Sequence, residues 1–315
     1  MKKLLTLVLL MYGTYSYAQL YNNEWIDFSK TYYKFKTNRT GLFRIPESTL
    51  AGIGLGAVPA QQFKLWRNGQ EITLYTSVAS GALPANGFIE FWGEANDGKA
   101  DKPLYRDPAY QHTDKWSLED DTAVYFLTAD PAALNQRFAD VPNNTAANVL
   151  PAEPYFMYTS GRYFKEQINA GFAAVIGEYV YSSSYDKGEF WSTTDIYPGT
   201  PRTDQQLALF PYSSGPTASL KFGAVGNALN GRTIQAKVNN TIVKDTICDY
   251  FNDIVANSQF PASLLNTGSA DITFTNVSTA TPAVNNDRMV VSFYELTYPR
   301  QFNFGAAANF KFTLP

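Results

Sequence analysis

Asn68-Gly69 stands between two alternating runs, Phe63-Lys64-Leu65-Trp66-Arg67 and Gln70-Glu71-Ile72-Thr73-Leu74-Tyr75. A two-residue link between paired strands needs positive φ at both positions, and Asn followed by Gly meets that demand at the least cost. The turn sets the register, and the register sets which side chains share a face. This stretch therefore predicts a hairpin inside a β-rich unit. The same period of two recurs around it. Tyr33 and Phe35 alternate with Lys34 and Lys36, Gly41–Ile45 returns after a turn at Asn38-Arg39, Phe88–Trp92 follows Asn86-Gly87, and Val124–Thr128 adds another strand. Pro46–Ala51 reads as one helical turn with Pro at its start, closed by Gly52, Gly54 and Gly56. That glycine run has neither the G-x-G-x-x-G spacing nor the Lys-Ser/Thr ending of a phosphate loop.

Between 130 and 154 the periodicity lapses and Pro131, Pro142, Pro151 and Pro154 accumulate with Asn and Ala, the composition of a linker. Short strands resume at Tyr158–Phe164, Glu178–Tyr181, Leu207–Tyr212, Ser219–Val225, Thr233–Val238, Thr241–Lys244, Asp271–Val277 and Arg288–Tyr298. Many short strands at this spacing predict a two-sheet sandwich of the jelly-roll kind. The fold class expected is all-β: two β-sandwich or jelly-roll-like domains in tandem after a cleaved signal peptide. The expected boundaries are a signal peptide at 1–18, an N-terminal β domain at 19–140, a linker at 141–154, a β-sandwich domain at 155–300, and the start of a further strand or domain at 301–315. Asn309–Pro315 alternates and then stops, so truncation is the expectation there.

Lys2 and Lys3, the apolar run Leu4–Met11 and the small-residue site Ser16-Tyr17-Ala18 have the build of a secretory signal, with cleavage after Ala18. The apolar run is too short to cross a bilayer as a helix, and no later segment is long enough. An exported protein of the periplasm, cell surface or outer membrane is expected. Hydrophobic residues make up 45% of the 315 and aromatics 15%, enough for real cores and well suited to pleated surfaces. A net charge of −3 leaves no electrostatic footprint for nucleic acid or anionic lipid.

One His and one Cys in the whole chain bound its chemistry severely. Nothing local brings His112 to Cys248, and metal sites of His and Cys cannot be assembled from one of each. Glu119, Asp120 and Asp121 are consecutive, so alternation splits them across faces and fixes no glycosidase-like pair. No catalytic residue is assigned and no cofactor is expected, with calcium as the one metal that the side chains could serve. Phe88–Tyr110 starts as a strand and then turns into a long polar loop, the kind of segment that carries function. Glu94, Asn96, Asp97 and Asp101 there supply hard oxygen ligands, although EF-hand spacing is absent; the competing reading is a solvated acidic loop. Trp66, Trp92, Trp116 and Trp191 could stack on sugar rings, Trp92 and Trp191 being the candidate glycan or partner contacts, or they could simply be packing.

A series of segments then stands in a telling order: Trp25-Ile26-Asp27-Phe28, Thr40-Gly41-Leu42-Phe43-Arg44-Ile45, Phe63-Lys64-Leu65-Trp66-Arg67-Asn68-Gly69, Phe91-Trp92-Gly93-Glu94, Leu104-Tyr105-Arg106-Asp107-Pro108, and Glu295-Leu296-Thr297-Tyr298-Pro299-Arg300. The series resembles the N-terminal region of the PorU-type sortases of the type IX secretion system, in the gingipain-like peptidase family C25. That resemblance implies an accessory β-rich region preceding a caspase-like domain, which removes cargo sorting signals with a Cys–His pair. Neither Cys248 nor His112 matches that pair. The implied role is to scaffold the absent catalytic domain or to dock cargo and secretion components. The alternatives are a carbohydrate-binding module and a structural surface protein.

Overall fold

The structure, a computed structural model, describes residues 23–315 apart from 133, 140–141, 143–145, 147–150, 176–178, 182–183, 266–267, 279–285, 308–309, 311 and 313–315. The expected signal peptide, much of the expected linker and most of the terminal strand lie outside the described residues. The chain divides into two compact units, one of residues 1–96 with 122–143, the other of 97–121 with 144–315. The polar loop after Phe88–Trp92 thus belongs with the second unit, although it interrupts the first along the chain.

In the first unit, β1 (Tyr33–Thr37), β7 (Ala123–Ala129), β3 (Phe63–Arg67) and β4 (Gln70–Ile72) form one antiparallel sheet in that order. A second sheet is ordered β2 (Gly41–Pro46), β6 (Phe88–Gly93), β5 (Tyr75–Thr76), and α1 (Glu47–Gly52) follows β2. The Asn68-Gly69 turn forms as its dipeptide demands, with φ of 49° and 76°. Arg67 pairs with Gln70 across it. Alternation then does the rest. Phe63 and Leu65 of β3, Tyr125 and Leu127 of β7, and Ile89 and Phe91 of β6 all point inward and are buried. Phe35, Phe43, Phe91 and Tyr125 stack through this core at centroid distances of 5.3–5.8 Å.

The second unit contains β8 (Phe156–Tyr163), β9 (Gln167–Ile168), β10 (Ala173–Val175), β11 (Tyr179–Tyr181), β12 (Trp191–Ser192) and β13 (Arg202–Gln206). It continues through β14 (Ala218–Gly226), β15 (Arg232–Val238), β16 (Thr241–Ile247), β17 (Asp253–Phe260), β18 (Ala270–Ser278) and β19 (Met289–Arg300). Its two main sheets are ordered β17-β14-β19-β8 and β13-β18-β15-β16. The pairs β8–β19, β13–β18, β14–β17 and β15–β16 are those of one long double ribbon doubled back at Asn239-Asn240. Rolling that ribbon brings β14 against β19 and β15 against β18. This is jelly-roll order, and both residues of its central turn have positive φ. The inward faces supply Phe222, Ile234, Phe274, Val291, Tyr294 and Leu296, all fully buried. Each such side chain contributes about 1.5–3 kcal/mol on leaving water.

The strand expected at Leu207–Tyr212 is not one. Ala208 adopts φ of 56°, and Pro211 lacks the N–H that a ladder requires. The extended segment lies just before it, at β13. Strand β17 gave no clear signal, because an edge strand reading Asp-Ile-Val-Ala-Asn-Ser-Gln-Phe lacks clean alternation.

Candidate functional site

Strand β19 carries an irregularity opposite Gly223, where the register steps from Gly223–Phe293 to Ala224–Val291. One residue, Ser292, is left over at the step. Bulges of this kind re-aim side chains and recur beside functional sites. Here Ser292 is fully buried, and its hydroxyl lies 3.0 Å from His112 Nδ1. The imidazole arrives on the polar loop and lies against the outer face of β14. Only glycine opposite can admit it: a Cβ on Gly223 would sit 2.5 Å from Ser292 Oγ and 2.7 Å from His112 Nδ1. His112 Nε2 lies 3.1 Å from Asp253 Oδ2, and Lys187 Nζ lies 3.2 Å from the other carboxylate oxygen. The ring also stacks on Phe190 with centroids 4.3 Å apart. Burial pushes the Asp253 carboxyl up, but the hydrogen bond and charge of His112 and those of Lys187 outweigh it and hold the group below its ordinary value.

Carboxylate, imidazole and hydroxyl thus stand in line, as in a hydrolytic triad. Access decides against that chemistry. The His112 side chain is 1% exposed and Ser292 is 0% exposed, so no acyl carbon can approach the hydroxyl. The constellation pins the loop to the sheet instead. Cys248 does not join it. The thiol is buried, donates to the Asn252 carbonyl at 3.0 Å, and is pushed up to about 11 by burial. Such a thiol stays protonated and unreactive.

The same loop makes further ties within its unit. Trp116 Nε1 donates to the Tyr163 carbonyl at 3.1 Å, and Trp191 Nε1 donates to the Ser117 carbonyl at 2.9 Å. Lys165 Nζ lies 5.0 Å from the Trp116 ring and 5.3 Å from the Trp191 ring. Trp191 is therefore an anchor of this loop, with its polar handle already engaged. Trp92 is half-buried on β6 of the first unit, where Leu42 is its cross-strand partner. Glu119 accepts from the Tyr185 hydroxyl at 2.9 Å and Asp121 pairs with Lys165 at 3.1 Å, so these carboxylates do not work as a couple. Beside His112 a polar cavity of about 250 Å³ opens, flanked by Lys102, Lys115 and Lys221 with Asp114 and Glu295.

Glu94, Asp97 and Asp101, three of the four candidate calcium ligands, have separate local duties. Glu94 accepts from Arg67 at 3.0 Å, Asp97 caps its own turn through Lys99 N at 3.2 Å, and Asp101 accepts from Ser117 Oγ at 3.1 Å and Leu118 N at 2.8 Å. Asn96 closes the first unit's stretch of the chain, whereas Asp97 and Asp101 belong to the second unit. Among the described residues no three His, Cys, Asp or Glu side chains converge as a metal site would require. Sequence reading singled out the loop for its acids and missed Ser292, Asp253 and Gly223, which lie 141 to 180 residues beyond His112 or appear as a bare glycine in a strand. That interior glycine was the one available signal.

The first unit offers a different feature. Strand β1 is an edge of its sheet, and an apolar cavity of about 550 Å³ opens beside it, lined by Tyr33, Phe35, Ile45, Leu50, Ile53 and Leu127.

No protein-family model and no curated protein sequence matches the chain. Solved structures do. A crystal structure of dimeric latent PorU from Porphyromonas gingivalis superposes with a TM-score of 0.53 at 10% identity, over 88% of this chain and 25% of that one. The likeness is one of fold, and this chain spans about a quarter of the PorU chain. A family 36 carbohydrate-binding module in complex with calcium and xylotriose gives a TM-score of 0.27 at 13% identity, over 44% of this chain and 98% of that one. A β-porphyranase of glycoside hydrolase family 86 from the human gut bacterium Bacteroides plebeius gives 0.28 at 11%, over 88% and 36%. Scores that low decide nothing about function. Among the described residues no helix is long and apolar enough to cross a membrane.

Proposed function

We propose that this chain is the accessory β-rich region of a sortase-like protein of the type IX secretion system, exported to the periplasm or outer-membrane surface, where it docks cargo or secretion components and performs no bond cleavage. The observation that carries the reading is the PorU-like fold running through both units, in a chain that also bears the ordered motif series. Two features of the molecule support it. Its sole imidazole and sole thiol are both buried and engaged with other groups. Its first unit presents an edge strand beside an apolar cavity, the arrangement by which an extended peptide adds a strand and inserts alternate side chains.

The test uses the full chain and a fluorescein-labelled peptide with the sequence of a cargo's C-terminal sorting segment. Binding followed by anisotropy, reduced by Ile53→Asp and unaccompanied by cleavage in mass spectra, is the expected result. Cleavage that disappears in Cys248→Ala would overturn the reading, as would the absence of any binding. N-terminal sequencing of the protein recovered from the cell envelope should begin at Gln19.

A further inference from the structure

The apolar cavity of the first unit has a charged border. Tyr33 and Phe35 of β1 turn toward the core, while Lys34 and Lys36 stand exposed on the other face of the same strand. From Phe28 to Pro46 the chain carries Lys30, Lys34, Lys36, Arg39 and Arg44, with no Asp or Glu among them. Three of these cations are engaged: Lys30 pairs with Asp130 at 2.8 Å, Arg44 pairs with Glu90 at 2.7 Å, and Arg39 lies 5.1 Å from the Phe43 ring. Lys34 and Lys36 meet no carboxylate and no ring face among the described residues. Lysines on an edge strand keep a second copy of the same edge away by like charge. The same charge admits a strand that carries acids.

Pleat geometry says where those acids must stand. Residues paired across neighbouring strands point to the same face of the sheet. A strand added to β1 therefore sends the residues opposite Tyr33 and Phe35 into the cavity of about 550 Å³, over Ile45, Leu50 and Leu127. It sends the residues opposite Lys34 and Lys36 to the lysine face. A carboxylate there makes a cross-strand ion pair, and a cation meets its like. A free hydrocarbon chain could fill the same space, but it would leave the outer main-chain groups of β1 without a partner, since β7 is the strand's one sheet neighbour among the described residues. From this we infer that the site takes an extended peptide in which large apolar residues alternate with Asp or Glu, the apolar set entering the cavity and the acidic set pairing with Lys34 and Lys36. This pattern presupposes the docking role proposed above and specifies the segment docked. The chain's net charge of −3 opposes an acidic ligand, so a preference for one has to come from these local lysines.

Fluorescence anisotropy on the full chain tests it with two labelled peptides. One has three isoleucines separated by two glutamates, between flanking threonines; its twin has lysines in place of the glutamates. At low salt the glutamate peptide should bind at least about fivefold tighter, the result of exchanging two attractive cross-strand pairs for two repulsive ones. The margin should shrink in about 0.5 M sodium chloride. Lys34→Glu/Lys36→Glu should reverse the preference, and because both side chains are exposed the variant should keep the parent's melting temperature. Ile53→Ser should weaken both peptides alike. Equal affinity for the twins, or no reversal in the double variant, would overturn the acidic pattern and leave the docking role standing if the sorting-segment peptide still binds. Failure of all three peptides would overturn both. Uptake of dodecanoate where the glutamate peptide is refused would also overturn the pattern and mark the cavity as one for a hydrocarbon chain.

Discussion

Arg232 is fully buried, and each of its five N–H donors is taken. Nε meets Asp287 Oδ1 at 2.7 Å, Nη1 meets the carbonyls of Cys248 and Tyr250, and Nη2 meets the Ala228 carbonyl and Asn230 Oδ1. One guanidinium thereby ties together three connections at one end of the jelly roll. Gly226 makes room for it, since a Cβ there would lie 1.7 Å from Nη1. Removing one member of a buried pair strands the other's charge, so Arg232→Met should cost about 3–5 kcal/mol in urea unfolding, with part regained in Arg232→Met/Asp287→Leu. The pH dependence follows from the same pair. Burial pushes the Asp287 carboxyl up, but the Arg232 hydrogen bond and charge prevail and hold it below its ordinary 3.8. A carboxyl depressed by folding gives stability that is fully present above the unfolded value and is lost as pH falls through the folded one. The urea midpoint should therefore drop below about pH 4, and Asp287→Asn should flatten that drop only in part, because Asp130 and Asp253 are depressed as well. The acidic residues of the loop behave differently. Asp97 already caps its own turn, Asp101 accepts from Ser117 and Leu118, and Glu94 serves Arg67. Saturating a site at 100 times its Kd would add about 2.7 kcal/mol. Millimolar calcium should instead leave the melting temperature unmoved, and a rise of several degrees would show that these carboxylates do gather around an ion.

At the scale of elements, the loop of 97–121 is the piece with most consequence. Three short 3₁₀ turns, Gly98–Ala100, Lys102–Leu104 and Pro108–Tyr110, give it shape. His112, set against the bulge of β19, holds it down. Gly223→Val fills the space the imidazole occupies, and His112→Ala removes the imidazole itself. Both should release the loop without unrolling the sandwich. Trypsin cleavage after Lys99, Arg106 or Lys115 should quicken by an order of magnitude or more under native conditions, with far-ultraviolet circular dichroism unchanged; equal cleavage in parent and variants would show that the latch holds nothing. These elements also show where sequence reading works. Period-two runs ending in Asn68-Gly69 or Asn239-Asn240 could be placed to within a residue or two, because alternation and turn chemistry are local. Leu207–Tyr212 looked like a strand by its apolar residues, and a single positive φ at Ala208 undid it. Strand β17 escaped because a polar Ser258 sits among its inward side chains Ile254, Ala256 and Phe260 while an apolar Val255 faces outward, which blurs the period of two in the sequence. Nothing local says that His112 meets residues of β17 and β19, since that contact exists only once the ribbon has rolled.

For the whole molecule, the division into units runs against the order of the chain. A cut at the Pro- and Asn-rich stretch near 140–150 looks natural from composition, yet it would leave 97–121 on the wrong fragment. The second unit would lose His112, Trp116 and the Ser117 carbonyl together. Phe190, Val225 and Val290, now 4%, 0% and 0% exposed, would lose the imidazole stacked on Phe190, and Asp253 would keep only Lys187. Burying that much aromatic and aliphatic surface is worth several kcal/mol, a large share of the roughly 5–15 kcal/mol that holds an ordinary domain together. A fragment of 144–315 should accordingly melt well below the second transition of the intact chain and bind a hydrophobic dye. Joining 97–121 ahead of residue 144 through a flexible Gly-Ser linker should restore the melting temperature, and the same fusion carrying His112→Ala should restore it only partly. If the bare fragment proved as stable as its counterpart in the intact chain, the loop would be a passenger on the sandwich and not a structural member of it.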